Sequence, residues 1–267
     1  MNLKTTSLTG SVGAAVDGIS LSEPLSGEQL EQLREAFRRH CVLVFRDQQL
    51  APAPQLAFAR LWGEPMVSAL LSKLQLGEYP EVVQIRTTSK ELVSTEAWHY
   101  DAPHTPVPPK ITMLSAQVIP AGGDTMWSNQ YLAYESLSPV MQRMLEGLRV
   151  HFRAVKLARS QGVMDSDVPS AVHPLVRTHP ETGRKALYIG HADNVVGIEG
   201  MHEAESRPLL NFLYQHSTQP DNIYRHMWRA GDVVMWDNRC TMHYAVHDYG
   251  TQERVLNRVT LKGEVPA

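Results

Sequence analysis

Apolar residues recur at three- and four-residue spacing after Ser26, so that Leu30, Leu33 and Phe37 share one face of a predicted helix. Ser26-Gly27-Glu28-Gln29 opens that helix in capping-box form. At His40 the pattern changes to an unbroken apolar run, Cys41-Val42-Leu43-Val44-Phe45, which predicts a short buried strand; Arg46-Asp47-Gln48 then turns the chain. A second helix is predicted from Pro54 to Leu61, stopping at Gly63, and Pro80 to Ile85 reads as another strand.

From Trp98 onward the pattern is mostly that of strands with interruptions. Lys110 to Ile119 is rich in β-formers and ends at Pro120, and Gly122-Gly123-Asp124 makes a turn. Ser138 to Leu148 predicts a helix with Met141, Met144 and Leu145 facing inward, and Leu187-Tyr188-Ile189 a strand. Glu203 to His216 predicts a further helix with Pro208 near its first turn. Gly231 to Trp236 alternates as a strand, Asp237-Asn238 turns, and Arg254 to Leu261 is a strand again. Short strands at both ends, helices between them and no repeat or linker predict one mainly β domain over residues 1–267.

Composition narrows the partners. The chain is 43% hydrophobic and 20% charged, which fits a globular fold with a sizeable core. Net charge is only -3, so nothing in the bulk charge favours nucleic acid or an acidic membrane as partner. The opening residues lack an apolar signal-peptide run, and no stretch approaches the roughly 18 apolar residues of a membrane helix. Cys41 and Cys240 are far apart in sequence, and a reduced cytoplasmic setting is the expectation. Twelve histidines against two cysteines direct attention to a metal bound through nitrogen and oxygen.

The candidate chemistry starts at Trp98-His99-Tyr100-Asp101. On a strand, residues i and i+2 point to the same side, so His99 and Asp101 would offer one nitrogen and one carboxylate to a common point. A third ligand from elsewhere would complete the two-His-one-carboxylate face that binds iron(II) with positions left open. His243 follows the apolar run ending in Trp236-Asp237-Asn238-Arg239. If Arg254 to Leu261 is a strand, Arg254, Leu256 and Arg258 share one face, with Val255, Asn257 and Val259 on the other. Two arginines turned into a barrel require anions to pair with; on an outer strand they would simply be solvated, and strand geometry alone leaves both readings open.

The set His99-x-Asp101, Gly122-Gly123-Asp124-Thr125, Trp236-Asp237-Asn238-Arg239 with His243, and the two terminal arginines resembles the taurine dioxygenase / 2,4-dichlorophenoxyacetate dioxygenase family. The similarity runs from the Val42–Arg46 strand to Leu261, and His173-Pro174-Leu175-Val176-Arg177-Thr178-His179-Pro180 also reads like family text. The resemblance implies a double-stranded β-helix, a jelly-roll, cupin-like core with helical insertions and a metal inside one mouth. It implies His99, Asp101 and His243 as iron(II) ligands, Thr125 and Arg254 as partners of the distal carboxylate of 2-oxoglutarate, and Arg258 as the holder of the substrate's anionic head. The implied reaction consumes O2 and 2-oxoglutarate, releases succinate and CO2, and hydroxylates an aliphatic C–H of a small organic anion, a carboxylate, sulfonate or related compound. A hydroxyl placed beside a heteroatom would collapse and cleave a C–O or C–S bond. Family members form dimers or tetramers, which implies a homo-oligomer.

Departures from the pattern bear on the substrate. The taurine enzyme uses a histidine soon after the Phe-Gly that follows the second helix; here Trp62-Gly63-Glu64-Pro65-Met66-Val67-Ser68-Ala69-Leu70-Leu71 contains none, which speaks against taurine. Met66, Val67, Leu70 and Leu71 would suit either an apolar substrate body or ordinary core packing. Tyr100 should point away from the metal, His104 and His191 are candidates for the substrate mouth, and the remaining histidines read as surface or satisfied core residues. Two rival functions share the triad: a zinc-type metallo-hydrolase and a non-catalytic 2-oxoglutarate-binding sensor. The first leaves Thr125, Arg254 and Arg258 without a task, and the second has no need of a redox metal.

Overall fold

The computed structural model describes residues 3–87, 95–155, 164, 168–191 and 194–267. In chain order its strands are β1 (Lys4–Ser7), β2 (Ala14–Asp17), β3 (Val42–Phe45), β4 (Gln75–Leu76), β5 (Tyr79–Thr87), β6 (Ile111–Val118), β7 (Thr125–Asn129) and β8 (Arg149–Arg153). They continue as β9 (Ser170–Pro174), β10 (Val176–Thr178), β11 (Lys185–Leu187), β12 (Val195–Ile198), β13 (Ile223–His226), β14 (Val233–Asp237), β15 (Thr241–Ala245) and β16 (Arg254–Leu261). Among the described residues five α-helices accompany them: α1 (Gly27–His40), α2 (Pro52–Arg60), α3 (Gln130–Glu135), α4 (Pro139–Leu145) and α5 (Glu203–Ser217).

The large sheet has the order β1-β2-β3-β14-β6-β16-β5-β4, and three smaller sheets run β13-β7-β15, β12-β8-β9 and β10-β11. Strands β3, β6, β14 and β16 are buried on both faces, which is why their sequences read as continuous apolar runs. One face carries Leu43, Phe45, Met113, Val233, Met235 and Val259 against Leu33 and Phe37 of α1 and Leu56 and Phe58 of α2. The alternate residues Val42, Val44, Leu114, Val234, Trp236 and Leu256 point the other way, onto Trp127 of β7 and Tyr224 of β13. A third cluster joins β8, β11, β12, α3 and α5 around Phe152, Leu187, Val195, Ala133 and Leu213. Together the facing sheets form the expected jelly roll with helices packed outside it.

Local expectations are met unevenly. The capping box is present: Ser26 Oγ accepts the Gln29 N–H at 3.2 Å, and Gln29 Oε1 accepts the Ser26 N–H at 2.9 Å. The strand β16 has the predicted bounds. The second helix starts two residues early, at Pro52, where proline's fixed φ suits a first turn. Helix α4 stops at Leu145 rather than Leu148, because Glu146 is extended and Gly147 has φ +83°. Met144 is therefore 49% exposed and not core, whereas Leu145 is fully buried. The predicted strand 187–189 is displaced, since regular pairing covers Lys185–Leu187. Among the described residues no helix is long and apolar enough to cross a membrane.

Candidate active site

His99 and His243 lie opposite each other in a single antiparallel bridge. Each N–H donates to the other's carbonyl, at 3.0 and 2.9 Å. Opposed residues in such a pair put their side chains on one side, and the two imidazole centroids are 4.1 Å apart. The chain at 98–101 is thus not a full strand as predicted; it is extended through this one bridge and bends at Ala102, φ +42°. That suffices to keep His99 and Asp101 together. The ligand atoms of His99, Asp101 and His243 lie within 4.8 Å of one another, and all three residues are buried.

The protonation states suit a cation. Burial, the dominant influence, lowers both imidazoles below their ordinary value, His243 strongly, so they are neutral with a lone pair each. His99 Nδ1 donates to the Ala97 carbonyl at 2.7 Å, which leaves Nε2 as the free lone pair. His243 Nε2 is 3.7 Å from Asp101 Oδ1, while its buried Nδ1 has no partner among the described residues. Burial alone would raise the Asp101 carboxyl, but Arg258, His243 and His99, with a hydrogen bond from Thr112, hold it well below the usual carboxylate range.

Asp101 is oriented by a chain of donors that the sequence does not reveal. Trp236 Nε1 donates to Asn238 Oδ1 at 3.0 Å, Asn238 Nδ2 to Thr112 Oγ1 at 2.9 Å, and Thr112 Oγ1 to Asp101 Oδ2 at 2.5 Å. The Trp-Asp-Asn-Arg motif thereby acquires a physical role: Trp236 and Asn238 feed this chain. Asp237 instead accepts from Arg239 at Nε and Nη2 and from His179 Nε2 in a separate buried cluster. Opposite the chain, Arg258 Nη2 contacts Asp101 Oδ1 at 2.7 Å, and the buried Arg258 Nε has no partner among the described residues.

Arg254 and Arg258 do share the inward face of β16, with Leu256 buried between them in the intersheet core. Arg254 Nε donates to the Gly123 carbonyl at 3.0 Å and Nη2 lies 3.5 Å from Thr125 Oγ1. Among the described residues it makes no ion pair, although it is only 5% exposed and burial lowers its guanidinium below the ordinary value. The glycine turn makes this approach possible. Gly123 has φ +73°, and a Cβ there would meet Arg254 Cδ and Nε at 2.9 Å. Asp248 Oδ1 accepts the Gly123 N–H at 2.8 Å and would itself lie 2.5 Å from a Cβ on Gly122. Gly123→Ala is expected to displace Arg254 and weaken binding of an acid there by about tenfold or more; an anaerobic titration of the cosubstrate would measure it, and wild-type affinity would contradict this account of the turn.

The other residues singled out by sequence divide. Tyr100 is turned aside, its hydroxyl donating to the Leu187 carbonyl and its ring 4.3 Å from that of Tyr188. His104 is buried, which lowers it to about 4, and His191 packs its ring on Tyr214. His226 is a satisfied core residue between Tyr224 and Asp232. In the stretch 62–71, Met66 N–H donates to the Thr260 carbonyl and Pro65 bridges Leu261, so this segment runs beside the end of the arginine strand. Val67 is 54% exposed there and is not core, and the Leu70 side chain lies outside the described residues.

Residues 4–260 match the family of the taurine catabolism dioxygenase TauD and TfdA. The chain belongs to the TauD/TfdA family. It is 36% identical over 274 residues to an alpha-ketoglutarate-dependent sulfate ester dioxygenase of Pseudomonas putida, covering 97% of this chain and 89% of that protein. It is also 36% identical over 271 residues to an alpha-ketoglutarate-dependent 2,4-dichlorophenoxyacetate dioxygenase of Cupriavidus pinatubonensis, covering 92% and 93%. Among solved structures, a putative alpha-ketoglutarate-dependent taurine dioxygenase from Burkholderia xenovorans superposes with a TM-score of 0.89 at 33% identity, covering 100% of this chain and 94% of that one. Membership in the TauD/TfdA family agrees with the jelly roll described above.

Proposed function

We propose that this TauD/TfdA enzyme hydroxylates an aliphatic C–H of a small organic anion at the His99–Asp101–His243 centre, the whole chain acting as one domain. The chain is an alpha-ketoglutarate-dependent dioxygenase, with iron(II), 2-oxoglutarate and O2 as its cofactors. The residues fit the metal: two neutral imidazoles and one ionised carboxylate, buried and within 4.8 Å, are the donor set that non-haem iron(II) takes. When bound, iron with 2-oxoglutarate and O2 supplies the oxidising power, the keto acid leaving as succinate and CO2 while one oxygen atom enters the C–H bond.

The chain's own residues do the placing. The observation that carries the reading is the pair of inward arginines on one strand face, Arg254 beside Thr125 and Arg258 beside Asp101. Arg254 and Thr125 form a buried receptor for the distal carboxylate of 2-oxoglutarate, which orients the keto acid toward the three ligands. Arg258, four residues along, holds the anionic head of the substrate, so that head-to-carbon distance selects the C–H attacked. The half-buried Met66 beside the end of β16, with the exposed Val67 and half-buried Leu71 that follow it in the chain, suits a substrate with an apolar body, a sulfate ester or aryloxyalkanoate in preference to taurine. Oxidation at the carbon bearing the heteroatom would release that group. The buried, unbridged Cys41 and Cys240 accord with a reduced cytoplasmic setting, and a homo-oligomer is part of the same reading.

The test starts without oxygen. Adding 2-oxoglutarate to the iron(II)-loaded protein should produce the weak visible charge-transfer band of the chelate. Admitting air with a panel of alkyl sulfates, sulfonates and aryloxyalkanoates should raise succinate formation several-fold for at least one class. No band, with hydrolytic turnover on zinc, would favour a metallo-hydrolase; a band with no stimulated succinate would favour a sensor.

A further inference from the structure

Trp228 lies in the loop between β13 and β14, and nothing in its sequence surroundings marks it as functional. Its indole Nε1 nevertheless donates to Thr125 Oγ1 at 3.0 Å, with both residues buried. Arg254 Nη2 approaches the same oxygen from a second direction, at 3.5 Å. A hydroxyl has two acceptor lone pairs and one proton to give. An indole N–H and a guanidinium are donors only, so between them they occupy the lone pairs and neither can receive the proton. The Thr125 O–H must therefore point away from both, toward a third group. An oriented hydroxyl donor next to a buried guanidinium without an ion pair among the described residues is a receptor for a carboxylate.

We propose that Trp228 is a positioning residue for the cosubstrate: its N–H locks the Thr125 hydroxyl into the orientation that donates to the distal carboxylate of 2-oxoglutarate. The inference rests on the roles given to Thr125 and Arg254 above and adds a residue to them. It also accounts for a cluster that the reaction otherwise leaves unused. The Trp228 ring meets the His226 ring edge-on, with centroids 4.6 Å apart and an angle of 88°. His226 pairs directly with Thr125 across β13 and β7, so the residue that supports the indole and the residue that receives its hydrogen bond are neighbours in one sheet. His226 is itself fixed: Tyr224 O–H donates to Nδ1 at 2.9 Å, and Nε2–H donates to Asp232 Oδ2 at 3.1 Å. Asp232 also accepts the Arg229 N–H at 2.8 Å and pairs with Arg46. Burial lowers His226, which keeps it neutral and able to serve both partners at once. Through Arg229, one residue beyond the indole, Asp232 ties down the backbone that presents Trp228.

Trp228→Phe removes the donor while keeping most of the ring. In an anaerobic titration of the iron(II) protein, followed by the chelate band, 2-oxoglutarate should bind about five- to tenfold more weakly. Manganese(II) affinity should stay at the wild-type level. Thr125→Val should weaken 2-oxoglutarate at least as much, Thr125→Ser should stay near wild type, and the Phe–Val double variant should match Thr125→Val alone. A purely structural Trp228 would instead cost the same with or without the hydroxyl. The proposal is overturned if Trp228→Phe binds 2-oxoglutarate within twofold of wild type, or if its penalty persists undiminished beside Thr125→Val. Should Trp228→Phe not fold, the zinc-loaded wild type still decides the matter. With five tryptophans, one indole N–H resonance should shift on adding 2-oxoglutarate and lose that response in Thr125→Val; no responding indole would refute the role. Wild type that binds no 2-oxoglutarate at all would instead refute the carboxylate receptor beneath it.

Discussion

Asp101→Ala is expected to yield a protein that binds iron(II) about a hundredfold more weakly or worse and forms no succinate above background. Removing the carboxylate takes away one of the three donors proposed for the metal and the only anion among them. It also strands two neighbours: Arg258 loses the oxygen that its Nη2 contacts, and Thr112 loses the acceptor of its hydroxyl. A guanidinium that loses Asp101 is costly when its side chain is only 18% exposed and its Nε has no partner among the described residues, so a loss of thermal stability should accompany the loss of metal. Metal titration and calorimetry on the same sample separate the two effects. Wild-type turnover in this variant would exclude the triad.

The second large effect divides the two arginines. Arg254→Ala is expected to raise the 2-oxoglutarate requirement by about 10- to 100-fold, the loss of a charged hydrogen-bonding partner in a buried receptor. Arg258→Ala should instead weaken the prime substrate far more than 2-oxoglutarate. Because Arg258 also touches Asp101, its metal affinity must be measured separately before the substrate effect is assigned. Anaerobic titration of 2-oxoglutarate and steady-state kinetics with the best substrate give the two numbers for each variant. If both substitutions raise only the 2-oxoglutarate requirement, Arg258 does not hold the substrate.

The residues that periodicity and chemistry expose were legible before any coordinates. The capping box at Ser26, the buried strand at Val42 and the shared face of Arg254 and Arg258 follow from spacing along the chain, whereas spacing left open whether that face turns inward. Resemblance to the family singled out His243, which spacing could not, because it reaches His99 through a bridge between segments 144 residues apart in number. Helix α4 illustrates the opposite failure. Met141, Met144 and Leu145 keep helical spacing, but the positive φ of Gly147 and the extended Glu146 end the helix first and leave Met144 in solvent. Thr112, Asn238, Asp248 and Trp228 escaped for a different reason. Each acts through a hydrogen bond to a distant segment, and a hydroxyl, an amide, a carboxylate or an indole in a sequence carries no sign of which oxygen or N–H it will meet.

The donor chain that ends on Asp101 has a consequence for denticity. Trp236, Asn238 and Thr112 pass hydrogen bonds in one direction only, and the last of them occupies Oδ2. The hydrogen bond from Thr112 takes up one lone pair of Oδ2 and leaves Oδ1 on the side of His243 Nε2, which favours ligation of a cation through Oδ1 over chelation by both oxygens. Ligating in that way, His99, Asp101 and His243 would offer a cation one donor atom each and leave room beside it for small molecules. In this sense the indole of Trp236, through three hydrogen bonds in series, helps to fix how many oxygens Asp101 offers.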